Sequence, residues 1–225
     1  LANMFAVSRN FSKSKELLEK AIKIQPENTT ILNNLGTACR ELGDIEKAMI
    51  FYQKVLNINS NHTNANYNLG LIFFGLKELK RAKEYLEKTV KIQPNYAFAH
   101  YSLGNLQKEL NELKQAKESY LKAIKIRPSF ASAQNNLGLV FSNLGDRDSA
   151  MECYKKALEI DPKHAGAYNN LGRLYTESGE LEKAIESHKM AMKLEPQNLV
   201  HTYYLNELDK NFLNSEVKNK TEEIL

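Results

Sequence analysis

Four asparagines, Asn34, Asn68, Asn136 and Asn170, and one serine, Ser102, stand on a common spacing of 34 residues. A carboxamide both donates and accepts hydrogen bonds, so a column of them can hold the backbone of an extended peptide whatever its side chains. One place earlier in each case stand Asn33, Tyr67, Tyr101, Asn135 and Asn169, a mixture of amides and phenols. With Phe74, Phe98 and Asn105 they make a candidate peptide-binding set. Its amides would grip backbone and its aromatics would anchor apolar side chains.

Catalytic chemistry finds no comparable pattern. The five histidines, His62, His100, His164, His188 and His201, show neither HExxH spacing nor a cysteine partner that would make a metal site. There is no phosphate loop, no dinucleotide fingerprint and no nucleophile elbow. No enzymatic activity, metal or cofactor is therefore expected. Lys20, Lys54, Lys88, Lys122 and Lys156 form a basic stripe, but Glu16, Glu84, Glu118 and Glu152 lie four residues before four of them. That spacing pairs the charges along one helix face, so the stripe reads as a solvated surface.

Composition narrows the class. The 225 residues are 42% hydrophobic and 26% charged, with a net charge of +4 and a pI near 8.8. This is an ordinary globular balance, and too mildly basic for a dedicated nucleic-acid binder. The two cysteines, Cys39 and Cys153, fall at apolar-face positions and read as small buried hydrophobes, which fits a reducing, cytoplasmic setting. The longest strongly apolar run, LGLIFFGL at 69–76, is too short to span a bilayer, and no signal peptide is visible. The start at Leu1, without an initiator Met, points to a fragment or a processed form.

The elements that must position these residues follow from the same period. Leu-Gly pairs begin at Leu35, Leu69, Leu103, Leu137 and Leu171. Alanines keep the beat at Ala48, Ala82, Ala116, Ala150 and Ala184, and prolines at Pro26, Pro94, Pro128, Pro162 and Pro196, with Ser60 in the gap. Such a period means one supersecondary unit written repeatedly. In the unit from Ala131, the spacing of Ala133, Leu137, Val140, Phe141 and Leu144 predicts an amphipathic first helix. A turn at Gly145 follows, and then a second helix from about Asp148 to Ile160, ended by Pro162. The turn position holds Gly43, Lys77, Asn111, Gly145 and Gly179 in successive units. Lysine tolerates a left-handed backbone poorly, so a strained or altered turn is expected at Lys77. The small residues Gly36 and Ala48, with their equivalents, predict close approach of the paired helices.

Leu137, Gly138, Phe141, Ala150, Tyr154, Ala157 and Pro162 within 34 residues resemble the tetratricopeptide repeat. Five full units fit, at 29–62, 63–96, 97–130, 131–164 and 165–198. Residues 1–28 read as a partial unit, and 199–225 as atypical capping or linker helices with an apolar stripe through Val217, Thr221, Ile224 and Leu225. Local departures are Cys39 and Gln107 for the first-helix aromatic, Val55 and Thr89 for the late alanine, and His188 for the second-helix aromatic. The resemblance implies an all-α, right-handed solenoid whose first helices line a concave groove, and a protein that binds extended peptide segments there.

A helical wheel assigns that surface. At about 100° per residue, the fifth and twelfth places of each first helix point away from the apolar stripe, and the second, sixth and ninth lie between. The inner residues are then Asn33, Asn34, Thr37 and Arg40; Tyr67, Asn68, Leu71 and Phe74; Phe98, Tyr101, Ser102, Asn105 and Lys108; Asn135, Asn136 and Leu139; and Asn169, Asn170 and Arg173. The asparagine column resembles the ladder in the repeat arm of O-GlcNAc transferases. An alternative role is therefore the substrate-recruiting arm of a larger glycosyltransferase or sulfotransferase whose catalytic domain lies outside this chain. Self-assembly through the end repeats is a third. The carboxylate clamp of chaperone-binding repeats is not matched, because no second or fifth place holds lysine. A protein or peptide partner is expected, nucleic acid is not, and no membrane span is expected.

Overall fold

The computed structural model describes residues 10–198 together with Tyr204 and Leu205. The expectations for residues 1–9 and for the rest of the 199–225 segment lie outside these. Among the described residues there are eleven helices longer than one turn and no strand. They are α1 Phe11–Ile24, α2 Thr29–Glu41, α3 Ile45–Ile58, α4 Thr63–Gly75, α5 Leu79–Ile92, α6 Ala97–Glu109, α7 Leu113–Ile126, α8 Ala131–Asn143, α9 Arg147–Ile160, α10 Ala165–Glu177 and α11 Leu181–Leu194. They form two compact units that divide between Leu110 and Asn111, so that α1–α6 belong to one and α7–α11 to the other. Within each unit every helix packs on the next, and first helices of successive repeats also touch: α2 with α4, α4 with α6, and α8 with α10. This is an all-α solenoid architecture.

Local chemistry sets the helix ends. The Asn28 side chain accepts from the N–H groups of Thr30 and Ile31, and Asp44, His62, Asp146 and His164 cap α3, α4, α9 and α10 in the same way. At the turn after α2, Gly43 N–H donates to Arg40 O and Asp44 N–H to Cys39 O, the paired bonds that end a helix through a left-handed residue. The turn after α4 repeats this geometry with Lys77 N–H to Phe74 O and Glu78 N–H to Phe73 O. Lys77 therefore does take the left-handed backbone, at φ 62°, as Asn111 does at 58°. Lys77→Gly is expected to raise stability by about 1 kcal/mol, by removing the Cβ–carbonyl repulsion of that conformation. Urea melts read the gain, and an unchanged or lower midpoint refutes the strain.

The Leu-Gly pairs set the helix spacing. A Cβ on Gly36 would lie 2.7 Å from the Tyr52 ring, and on Gly70 it would meet Leu86 at 2.8 Å. Gly138 and Gly172 face Tyr154 and His188 in the same manner. Ala48, Ala82, Ala116, Ala150 and Ala184 are fully buried. The departures from the repeat pattern are absorbed inside: Val55, Thr89 and His188 are fully buried, and the Thr89 hydroxyl donates to Tyr85 O at 2.8 Å. Leu86 also replaces an aromatic, a departure that the repeat pattern alone did not flag. Cys39 and Cys153 are buried free thiols, and burial holds the Cys153 thiol up at about 11, which keeps it protonated and unreactive.

Candidate functional site

The asparagine column is tied between repeats. Asn170 Nδ2 donates to Asn135 Oδ1 at 2.9 Å, from the sixth place of one repeat to the fifth place of the repeat before. The Tyr67 hydroxyl and Ser102 Oγ make the same connection at 3.2 Å, again 35 residues apart. Asn135 Nδ2 also donates to Asn136 Oδ1 at 3.1 Å. The wheel placed the fifth residues at the outermost point, but Asn33 and Asn135 are only 8% and 6% exposed. Asn68 and Asn170, at the sixth place, are each 9% exposed, and Ser102 is 5%. The wheel considered one packing partner per helix, whereas each first helix also packs on the first helix of the adjoining repeat, and that contact covers these places. Asn34, Asn136 and Asn169 are half-buried.

The first pair of the series departs from the pattern. Asn33 and Asn68 are also 35 residues apart, but Asn68 Oδ1 accepts from Arg40 Nη1 at 2.7 Å, and the buried Asn33 Oδ1 has no hydrogen-bond donor. The remaining guanidinium nitrogens of Arg40 reach Glu41 at 2.7 and 3.3 Å.

Sequence reasoning missed a second set of polar ties. At the fourth place of the repeat, Asn66 Nδ2 donates to Ser60 O and His62 O, both at 3.0 Å, and His100 Nε2 to Pro94 O at 2.8 Å. A polar residue six positions after the proline position was the available signal. Two of the five histidines are helix caps: Nδ1 of His62 accepts from Ala65 N–H, and Nδ1 of His164 from Ala167 N–H. His188 is fully buried and stacks on Tyr204 at 5.0 Å. Among the described residues no group of histidines, cysteines and carboxylates could hold a metal ion. At the two ends of the lysine stripe, Lys20 pairs with Glu16 and Lys156 with Glu152, each at 2.6 Å.

The most exposed member of the candidate set, Phe98, lies on α6, among half-buried aromatics of α4 and α6. Tyr67 packs on Tyr96 with ring centroids 5.0 Å apart, and Tyr96 meets Phe98 edge-on at 6.4 Å. Phe98 is 44% exposed, while Tyr67, Leu71, Phe74, Tyr101 and Asn105 are half-buried. Phe98, Tyr101, Asn105 and Lys108 recur at helical spacing along one side of α6. A shallow cleft of about 550 Å³ opens between the ends of α2 and α4, lined by Arg40, Glu41, Ile45, Leu71, Ile72, Gly75 and Leu76. The face is thus a set of packed aromatic and aliphatic surfaces rimmed by a few cations. It can bury an apolar side chain.

Family profiles described as tetratricopeptide repeat match residues 17–49, 63–96 and 129–195, and one described as TPR repeat matches 36–77 and 104–145. The crystal structure of MamA is 30% identical, with a TM-score of 0.66 over 72% of this chain and 95% of its own. The chain belongs to the tetratricopeptide repeat family. This TPR protein is also similar to YrrB, described as a TPR protein with an unusual peptide-binding site, at 26% identity and a TM-score of 0.69 over 84% of this chain and 97% of YrrB. PilF of Pseudomonas aeruginosa, at 18% identity, shares the fold with a TM-score of 0.82 over 92% of this chain and 94% of its own. No curated protein matches the TPR chain in sequence. No helix among the described residues is long and apolar enough to cross a membrane.

Proposed function

We propose that this TPR protein is a protein-interaction scaffold that takes an extended peptide segment against the first-helix face of its first unit. The observation behind this reading is the Tyr67–Tyr96–Phe98 aromatic series, which leaves Phe98 44% exposed beside half-buried Leu71, Phe74 and Tyr101. Partly exposed rings held rigid by their neighbours bury large area at small entropic cost, which is what an anchor pocket requires. The peptide-binding site described for YrrB supports the same role. Asn105, on the Phe98 side of α6, is the amide best placed to meet a peptide group. Asn68, Asn135 and Asn170 act instead as ties between repeats.

A peptide array probed with the wild-type chain and with Phe98→Ala tests this. Phe98 lies on the surface, so the variant should fold normally while its array signals fall about tenfold, the loss expected when one anchor worth about 1.4 kcal/mol is removed. Equal signals from the two proteins refute the aromatic site. The transferase-arm alternative gains no support from this face, since two of the four asparagines that suggested it, Asn68 and Asn170, bond to side chains of the preceding repeat.

A further inference from the structure

The aromatic face ends in a cation that makes no direct ion pair, although the charge of its neighbour Glu109 acts on it. Lys108 lies half-buried near the C-terminal end of α6, and its ammonium makes no ion pair or hydrogen bond among the described residues. Burial pushes its pKa below the ordinary lysine value. Its chain neighbour Glu109 is already engaged: Lys77 Nζ contacts Glu109 Oε1 at 2.6 Å and lies 5.8 Å from the centre of the Phe74 ring. Towards the other end of the face, Arg40 is balanced by Glu41 at 2.7 Å and is held by Asn68. Of the three cations along this face, Arg40 on α2 and Lys77 in the turn after α4 are paired with carboxylates, and Lys108 on α6 is left over. A partly desolvated ammonium gains most from a carboxylate that arrives with its own apolar surroundings and excludes water from the pair.

We propose that the peptide taken by this face carries a side-chain carboxylate that pairs with Lys108, next to an apolar residue that packs on Phe98 and Tyr101. The inference rests on the peptide-binding reading above and adds the chemistry of the ligand. Phe98 and Lys108 are separated by ten residues of helix, about 15 Å along the axis. An extended peptide covers that distance in about four or five residues, which sets the spacing between its apolar and acidic groups. Charge complementarity favours an acidic peptide. The aromatic neighbours and the single unmatched cation do not favour a polyanion such as nucleic acid, whose binding relies on many phosphate contacts.

The experiment is an array of N-acetylated, C-amidated decapeptides, which removes the terminal charges. Each holds one fixed leucine and one variable position, filled by Glu, Gln or Lys at stepped distances from it, in an otherwise randomised sequence. Wild type, Lys108→Met and Phe98→Ala are compared after their thermal melts are matched, and a labelled single-stranded DNA oligonucleotide is run alongside. The expected result is strongest capture of Glu peptides at a spacing of about four, with Gln peptides about tenfold weaker. Lys108→Met should erase that preference while leaving capture of the Gln peptides unchanged. Equal capture of Glu and Gln peptides by wild type, with both reduced by Phe98→Ala, overturns the carboxylate inference and leaves the peptide-binding reading intact. Absence of capture for every peptide, or capture indifferent to Phe98→Ala, refutes the peptide-binding reading itself. Lys108-dependent binding of the oligonucleotide in place of the peptides assigns the cation to phosphate and also overturns the proposal.

Discussion

Replacing Gly138 by leucine is expected to cost about 1–3 kcal/mol of stability, because the new side chain has no room. Its Cβ alone would lie 2.6 Å from Tyr154 Cε1 and 2.8 Å from Cδ1, well inside contact distance. The Tyr154 ring is 1% exposed and cannot swing aside into solvent. The helices α8 and α9 must then move apart, and with them the buried contacts on either side of the pair. Urea denaturation measures the loss. Hydrogen exchange should locate it in α8 and α9, since a repeat protein's stability is roughly a sum of local and nearest-neighbour terms. Adding Tyr154→Ala to Gly138→Leu should recover part of the loss, a non-additivity expected of side chains in direct contact. An unaltered urea midpoint for Gly138→Leu would show that the helix pair is looser than these distances require.

Asn170→Leu is expected to cost about 1–3 kcal/mol, because it leaves Asn135 Oδ1 buried without its donor. The double variant Asn135→Leu with Asn170→Leu should be less destabilised than the sum of the two singles. It removes both polar groups, so neither remains unsatisfied in the interior. A double-mutant cycle in urea supplies the coupling energy. Strict additivity of the two changes would refute the hydrogen-bonded tie and return both amides to the solvent-facing role that the helical wheel assigned to them.

The all-α fold of paired helices was legible from sequence. Three residue classes on one period dictated paired helices, and the turn at Lys77 could be named in advance as the costly one because only backbone chirality was at issue. The face was legible only in part. The wheel placed Phe98 and Tyr101 on the inner side, and both stand on a partly open face. It failed at Asn33 and Asn135, since a wheel represents one helix and those residues are covered by another repeat. The bond between fifth and sixth places was written in the chain as a spacing of 35, one more than the period. Its meaning depends on the offset between adjacent helices, which no single repeat contains. The unmatched Lys108 was similarly out of reach. Recognising it required knowing that the neighbouring carboxylate, Glu109, turns towards Lys77.

The ties between repeats also bear on how such a chain can lengthen or shorten. If the units were joined only by apolar contact, any one could be excised or copied with little penalty beyond its own share of the core. Here two junctions are locks with different keys: a phenol meets a serine between Tyr67 and Ser102, and an amide meets an amide between Asn135 and Asn170. Excising residues 63–96 in frame would bring Asn33 opposite Ser102, two short side chains in place of a reach that the long tyrosine now spans. At these two junctions the neighbours are therefore not interchangeable, and a copy inserted at either would break the tie now made there.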